Sequence, residues 1–461
     1  SLGTGLVTAA NGTGLTFGRL VTNFGNNITL DGEVTFDLDN SVEYLIVAGG
    51  GGGGAWVGGG GGGGGVLAGN TDLAGNSYSV SVGLGGNGAV NASASSYTAS
   101  QNGSNSTALG LTALGGGAGG NYSGGNTSGG SGGGSGGNQA AAQGTADQGY
   151  AGGVGDGTWQ YGYVAGGGGG AGGPGGAATT IKAGSGGIGE LSNITGTATY
   201  YGGGGGGGVH SENLALPGDG GLGGGGRGSA ASSTKAQSGV ANTGGGGGGS
   251  GKVNNSYSEG GNGGSGLVVV RYLGSTAGSG GSVTSGTGTA TGYTLHTYTS
   301  GSSTLSLNAL NVQLSGNIGG TGAMVANATG GKFNLTGTNT YAAATTISGG
   351  TFQIGGAGSL GSGNYAGTIA NAGNFLYSSS ANQTLSGAIT GVGGLQKDTS
   401  TTSTLTLSAI NGYTGATTVD AGTLKITGAI YCDSTCGSGA QFAYTGSSIT
   451  TVNSGATLDF N

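Results

Sequence analysis

The residue types that do chemistry are sparse in this chain. Its 461 residues include 9 Lys and Arg, 16 Asp and Glu, 2 His and 2 Cys. Cys432 and Cys436 stand in Tyr-Cys-Asp-Ser-Thr-Cys-Gly, too few ligands for a metal site, and His210 and His296 lie far from them in sequence. A local disulfide at a loop tip is the expected state, with free thiols as the alternative, and so short a loop contributes little stability. Asp31, Glu33, Asp37 and Asp39 alternate with Val34, Phe36 and Leu38, which places four carboxylates on one face of a half-buried strand. Such a face could hold Ca²⁺, which favours carboxylate oxygens, but no Asp-Gly loop of calcium spacing accompanies it. A solvated strand face is the expectation, and no cofactor or metal is expected.

Catalysis is not expected either. Within 293–461 the ionisable side chains besides Tyr and Cys are His296, Lys332, Lys397, Asp398, Asp420, Lys425, Asp433 and Asp459. Acid–base work on a sugar needs such groups clustered. Lys397 and Asp398 are neighbours and point to opposite faces of a strand. No Ser-His-Asp set has a supporting spacing. The basic residues are scattered, so neither nucleic acid nor an anionic membrane is an expected partner. No apolar run approaches the ~20 residues needed to span a bilayer, so no membrane insertion is expected.

Aromatic rings are the one group with binding potential. Tyr122, Tyr150, Trp159, Tyr161, Tyr163, Tyr200 and Tyr201 lie among Gly-rich loops, where exposed rings could stack on sugars. Of these, Trp159, Tyr161, Tyr163, Tyr200 and Tyr201 are the candidate ligand-binding residues, and packing on the Gly backbone is the alternative reading. Asn-x-Ser/Thr acceptors occur at Asn11, Asn27, Asn91, Asn105, Asn121, Asn193, Asn334 and Asn382, as a chain rich in these residues produces by chance.

These residues must be positioned by an unusual scaffold. The chain holds 128 Gly and 2 Pro, with no three-residue Gly period, which excludes collagen. Its 19 Tyr and many short β-branched runs argue against a disordered linker. Val42–Ala48 is an apolar strand that runs directly into Gly49–Gly54, and Leu267–Leu273 is a second such strand that closes the Gly-rich stretch and could pair with the first. Between them lie runs at 58–65, 166–170, 202–208, 223–226 and 244–249. Ordering them has a severe entropic cost, which close lateral packing of left-handed, three-per-turn segments would offset by satisfying their backbone groups. A phosphate loop is excluded, because no helix and no Lys-Ser or Lys-Thr follows any run.

Val42–Gly54, Tyr78–Gly88 and Ser265–Tyr272 resemble the opening, internal and closing strands of glycine-rich domains in phage tail adhesins and large bacterial surface proteins. The resemblance covers about 31–273 and implies a lattice of Gly helices whose tips bind a receptor. Residues 1–40 are read as an N-terminal strand segment, 41–273 as the glycine-rich domain, and 274–292, rich in Gly, Ser and Thr, as a linker.

Residues 293–461 carry strand-like segments and an internal repeat. Phe333-Asn-Leu-Thr-Gly-Thr-Asn-Thr-Tyr341 returns as Leu405-Thr-Leu-Ser-Ala-Ile-Asn-Gly-Tyr413, an offset of 72 residues. Thr345–Ile354 returns as Thr417–Ile426, and Leu314–Ile318 as Leu385–Ile389. The pattern resembles the autotransporter-associated β-strand repeat, which implies a right-handed parallel β-helix and a secreted surface stalk. The expected fold is all-β, a glycine-rich domain whose strands frame a polyglycine-helix-like lattice, followed by that β-helix.

The expected function is an extracellular structural fibre or matrix subunit at the cell surface, with a cell-surface or phage adhesin that binds glycans or a receptor through its aromatic-bearing Gly-rich loops as the alternative. The expected partner is the chain itself, as a head-to-tail homopolymer. Strand-prone ends motivate this, through Leu15, Phe17 and Leu20 at one end and Ile449, Val452, Leu458 and Phe460 at the other.

Overall fold

The computed structural model describes residues 7–10, 12–17, 23–38, 41–73, 77–93, 96–158, 162–210, 215–230, 235–253, 256–273, 278–307, 310–428 and 450–460. Among them the only helical turns are two short 3₁₀ segments, Gly288–Ala290 and Gly361–Gly363; the rest is strand, turn and extended chain. The chain divides into two compact units. One holds Ser1–Asn40, Leu73–Gly75 and Asn308–Asn461; the other holds Ser41–Asp72 and Asn76–Leu307.

The first unit is a β-solenoid of parallel strands. Alternating residues point inward and stack on their counterparts one coil away. One inward column runs Phe24, Leu314, Leu335, Ile354, Tyr377, Lys397, Val419 and Val452, each paired in register with the next. A second column, Val312, Phe333, Phe352, Phe375, Leu395 and Thr417, lies two residues earlier on the same strands. Except for Val452 at the end of the first column, each large apolar side chain here is buried, which contributes about 1.5–3 kcal/mol apiece. A separate ladder stacks Asn364–Tyr365, Gln383–Leu385, Thr404–Leu407, Thr423–Ile426 and Thr457–Asp459.

The solenoid begins earlier in the sequence than composition suggests. Val7–Ala10 pairs in parallel with Ile28–Asp31, and Thr13–Phe17 with Val34–Leu38. Val34–Leu38 then pairs with the beginning of Met324–Leu335, and Ile28–Asp31 with Ile318–Gly320. Residues read as a separate N-terminal segment are therefore the solenoid's opening coils. The chain leaves after Leu38 and resumes its coil at Leu310–Leu314, so the glycine-rich unit is an insertion between two strands of one coil. Sequence order hid this, because the two halves of the coil are separated by the whole insertion.

The glycine-rich unit is framed by an antiparallel sheet. The bracketing strands pair as expected, with Leu267 opposite Val47 and Arg271 opposite Glu43. Val66–Asp72 flanks Ser41–Val47 on one side; Tyr293–Tyr298 and then Ser282–Ser285 flank Leu267–Leu273 on the other. The supposed linker thus contains strands, Gly278–Ser279 and Ser282–Ser285, and 293–307 belongs to this unit rather than to the solenoid. Ser282–Ser285 pairs with a single neighbour among the described residues and buries little, which is why its composition reads as linker.

Within this frame the Gly runs form a lattice instead of a sheet. Gly49 and Gly52 donate their N–H groups to the carbonyls of Ser104 and Gln101, Gly50 and Gly53 to Gly264 and Gly261, and Gly51 and Gly54 to Gly62 and Gly59, all at 2.9–3.0 Å. Residues three apart address the same neighbour, the signature of a three-per-turn helix bonded sideways to several others. A Cβ on any of Gly49–Gly54 would stand 1.9–2.2 Å from a neighbouring carbonyl oxygen, so the close approach itself requires Gly. The hydrogen bonds and close contacts offset the entropy of ordering the runs.

Candidate functional site

The repeat's polar residues form a buried ladder between coils. Asn339 Oδ1 accepts the Ile318 N–H at 2.9 Å, while Nδ2 donates to the carbonyls of Gly337 and Ser359, both at 3.0 Å. Its counterpart Asn411 accepts from Ile389 N–H at 2.8 Å and donates to Ala409 at 2.9 Å. The Leu-Ser-Gly-x-Ile turn of one coil is therefore received by the Asn of the next. Tyr341 and Thr345 share a hydrogen bond of 2.9 Å, and Tyr413 and Thr417 repeat it at 2.7 Å. Asn339 is fully buried.

The expected assembly residues fall at the two extremes of the solenoid ladders. Leu15 and Leu458 are half-buried and pack against the solenoid core, whereas Val452 and Phe460 are 43% and 47% exposed. Phe17 pairs with Leu38 through its backbone. Leu20 and Ile449 lie outside the described residues, as do Cys432 and Cys436.

The candidate aromatic residues separate. Tyr201 is buried in a cluster with Leu45, Val66, Val269 and Leu295, which corrects the expectation of an exposed ring: its strand Thr199–Tyr201 turns that side chain onto the framing sheet. Tyr200, on the opposite face of that strand, is half-buried. Tyr163 lies in a row with two further rings, its centroid 5.9 Å from Tyr122, which in turn is 5.9 Å from Trp56. Trp159 and Tyr161 lie outside the described residues. Trp56 escaped the sequence reading, although its place between two long Gly runs marks a turn.

Outer segments of the lattice show side chains to solvent at every third position, as in Leu216, Asp219 and Leu222. Asp219 bridges Lys182 at 2.9 Å and Arg227 at 3.3 Å, and the Lys182 hydrogen bond holds its carboxyl below the usual range. This period of three is legible in the sequence once the lattice is known.

Among the described residues His210, His296 and Lys397 are buried. His296 is fully buried, with Nδ1 2.8 Å from the Gly280 carbonyl and Nε2 3.1 Å from the Tyr272 hydroxyl; burial lowers its pKa. Lys397 occupies the inward column described above. Its Nζ donates to Ala421 at 3.1 Å and Ser400 at 3.3 Å, and burial lowers its pKa.

The acidic face expected of one strand is broken by Gly32, at φ +94°, so Asp31 ends one strand and Val34–Leu38 begins the next. Asp37 accepts a hydrogen bond from Asn327 at 3.1 Å, and Asp39 lies outside the described residues. Among the described residues no three His, Cys, Asp or Glu are grouped to hold a metal.

A family model for a glycine-rich domain matches residues 28–273, more than half of the chain. The chain belongs to the glycine-rich domain family. The family match takes in the strands Ile28–Asp31 and Val34–Leu38, which fold into the solenoid. A second family model, the passenger-associated-transport-repeat, matches 330–354 and 402–426. No curated protein and no solved structure matches the chain. The repeats and the solenoid fit an autotransporter passenger, a protein exposed at the cell surface. No helix among the described residues is long and apolar enough to cross a membrane.

Proposed function

We propose that this chain is a structural subunit of an extracellular fibre or surface matrix, whose copies join head to tail by extending the solenoid ladders. The observation that carries the reading is the in-register column from Phe24 to Val452, with strands running parallel throughout. A parallel ladder ends in backbone N–H and C=O groups that another strand of the same direction can take up. In the continued ladder, Thr450–Val452 of one copy would pair with Asn23–Phe24 of the next. Low charge density adds to this, since long-range repulsion between copies is weak.

The reading assigns no catalytic step to the chain. Purified protein should form regular filaments under electron microscopy. Deleting residues 1–24, or truncating after Gly437, should abolish the filaments while the glycine-rich unit stays folded. Filaments that persist with both ends removed would place the contacts along the sides of the subunit and overturn this proposal.

A further inference from the structure

We propose that His296 is an acid-operated latch for the strap Gly278–Ser285, which leaves the framing sheet when the imidazole takes a second proton and so uncovers the edge of Tyr293–Tyr298. The inference is independent of fibre assembly.

The first argument is how the strap is seated. Gly278–Ser279 pairs with Ser306 and Leu307, and Ser282–Ser285 pairs with Thr294–Thr297. These two stretches belong to different sheets, so the chain crosses from one to the other at Gly280 and Gly281. Both glycines take positive φ, +112° and +65°, and a Cβ at Gly280 would stand 2.1 Å from the Thr304 carbonyl oxygen. Along Ser282–Ser285 only Val283 is partly buried. A segment that buries so little opens before the sheet beneath it does.

The second argument is what fastens it. His296 is fully buried, opposite Val283 of the strap on one side and Val270 on the other. Its Nδ1 lies 2.8 Å from the Gly280 carbonyl oxygen, which can only accept, so Nδ1 carries the proton and donates. Nε2, 3.1 Å from the Tyr272 hydroxyl, then accepts that O–H. The neutral ring is satisfied at both nitrogens. A second proton turns Nε2 into a donor, takes this acceptor from Tyr272 and puts a whole charge in the interior.

The third argument is that nothing facing the ring compensates such a charge. Its titratable neighbours on this face are phenols: Tyr272 on the adjoining strand, Tyr298 two residues along its own, and Tyr44 one strand beyond Val270. Glu43 and Arg271 alternate onto the opposite face, where they pair at 2.7 Å. Ser302–Leu307, on which the crossing is seated, has no titratable side chain, and the strand beside it, Ser77–Ser81, has Tyr78. Burial accordingly outweighs the Gly280 carbonyl, and the ring's pKa is lowered. Releasing the strap takes away that carbonyl and Val283 and admits water to the imidazolium. The open form binds the proton that the closed form refuses, so acid draws the equilibrium towards it.

The test uses the full chain and hydrogen exchange at about pH 7.5 and about pH 5, corrected for the pH dependence of intrinsic exchange. Protection of 278–285 should fall by up to about tenfold per pH unit below 6.5, while 42–48 and the Gly run at 58–65 keep theirs. His296→Gln, whose amide can donate to the same carbonyl but takes no proton, should hold the strap's protection constant over that range. In histidine-labelled parent protein, nitrogen-15 spectra should show His296 gaining its second proton as the strap opens, which decides the matter without any variant. The proposal is overturned if strap protection does not change with pH, or if it falls equally in His296→Gln. It is equally overturned if 42–48 loses protection together with the strap, or if His296 stays neutral while the strap opens.

Discussion

Asn339 accepts the backbone N–H of Ile318 from one coil away, at 2.9 Å, inside a solenoid where Asn339 is fully buried. Losing that side chain leaves the Ile318 N–H without its acceptor in a dry interior, while the Gly337 and Ser359 carbonyls keep the backbone N–H groups of Ser359 and Asn339. Asn339→Ala should therefore destabilise the solenoid by about 2–3 kcal/mol. Asn411→Ala, at a half-buried position, should cost less. Chemical denaturation of the two variants measures the difference, and equal losses would count against the burial argument.

The lattice and the solenoid should answer differently to the same kind of substitution. A Cβ at Gly52 would lie 2.0 Å from the Asn87 carbonyl oxygen, whereas one at Gly412 meets nothing within 4 Å. Gly52→Ala should destabilise the glycine-rich unit by about 3 kcal/mol or more. Gly412→Thr restores a strand-forming residue to the repeat and should stabilise by about 0.5–1 kcal/mol. Thermal denaturation followed by circular dichroism separates the two outcomes.

Much of the fold was legible in the sequence, because its signals are local. The β-branched runs at 42–48 and 267–273 announced a pair of strands, and they pair. The 72-residue offset announced stacked coils. The place of residues 1–40 was not legible, since Val34–Leu38 meets Met324–Leu335 across the entire insertion and nothing local encodes that. Buried Lys397 was also missed. Its alternating strand turns it inward, and the carbonyls that receive it belong to turns whose conformation the sequence does not reveal. Trp56 was passed over because a lone aromatic between Gly runs says nothing of its neighbours until the turn at 121–124 brings Tyr122 beside it.

Lys397 interrupts a column of apolar residues, between Tyr377 and Val419. Burial lowers its pKa from 10.5, against a smaller opposing effect of Asp398. Between its folded pKa and 10.5 the unfolded chain holds the proton and the folded chain does not. Stability should therefore rise with pH across that window and level off above it. Lys397→Met should remove this dependence and raise stability near pH 7 by about 1 kcal/mol. Lys397→Ala should lower it by about 2–3 kcal/mol through the cavity left behind. Urea titrations at pH 7 and pH 10 read both effects.

His296 gives the glycine-rich unit a sensitivity of the same sign in a lower pH window. Its pKa is lowered from 6.5 chiefly by burial, with the Gly280 carbonyl acting in the other direction. Below pH 6.5 the unfolded chain takes up a proton that the folded chain refuses, so stability is full above that pH. It should fall as the solution is acidified, by up to about 1.4 kcal/mol per pH unit until the folded-state pKa is reached. A His296→Gln variant should lose the dependence while keeping the denaturation profile of the solenoid unchanged.

Head-to-tail ladder extension is tested most directly by a covalent trap at its contact. One residue before the inward column, Asn23 is in register with Gln313 and Thr451 with Thr418, so a joined copy would place its Asn23 beside the preceding copy's Thr451. With Cys432 and Cys436 replaced by Ser, the double variant Asn23→Cys, Thr451→Cys should give a ladder of disulfide-linked multimers on a non-reducing gel after mild oxidation. Either cysteine alone should give none beyond a dimer. A double variant that stays monomeric while the parent chain forms filaments would contradict the account.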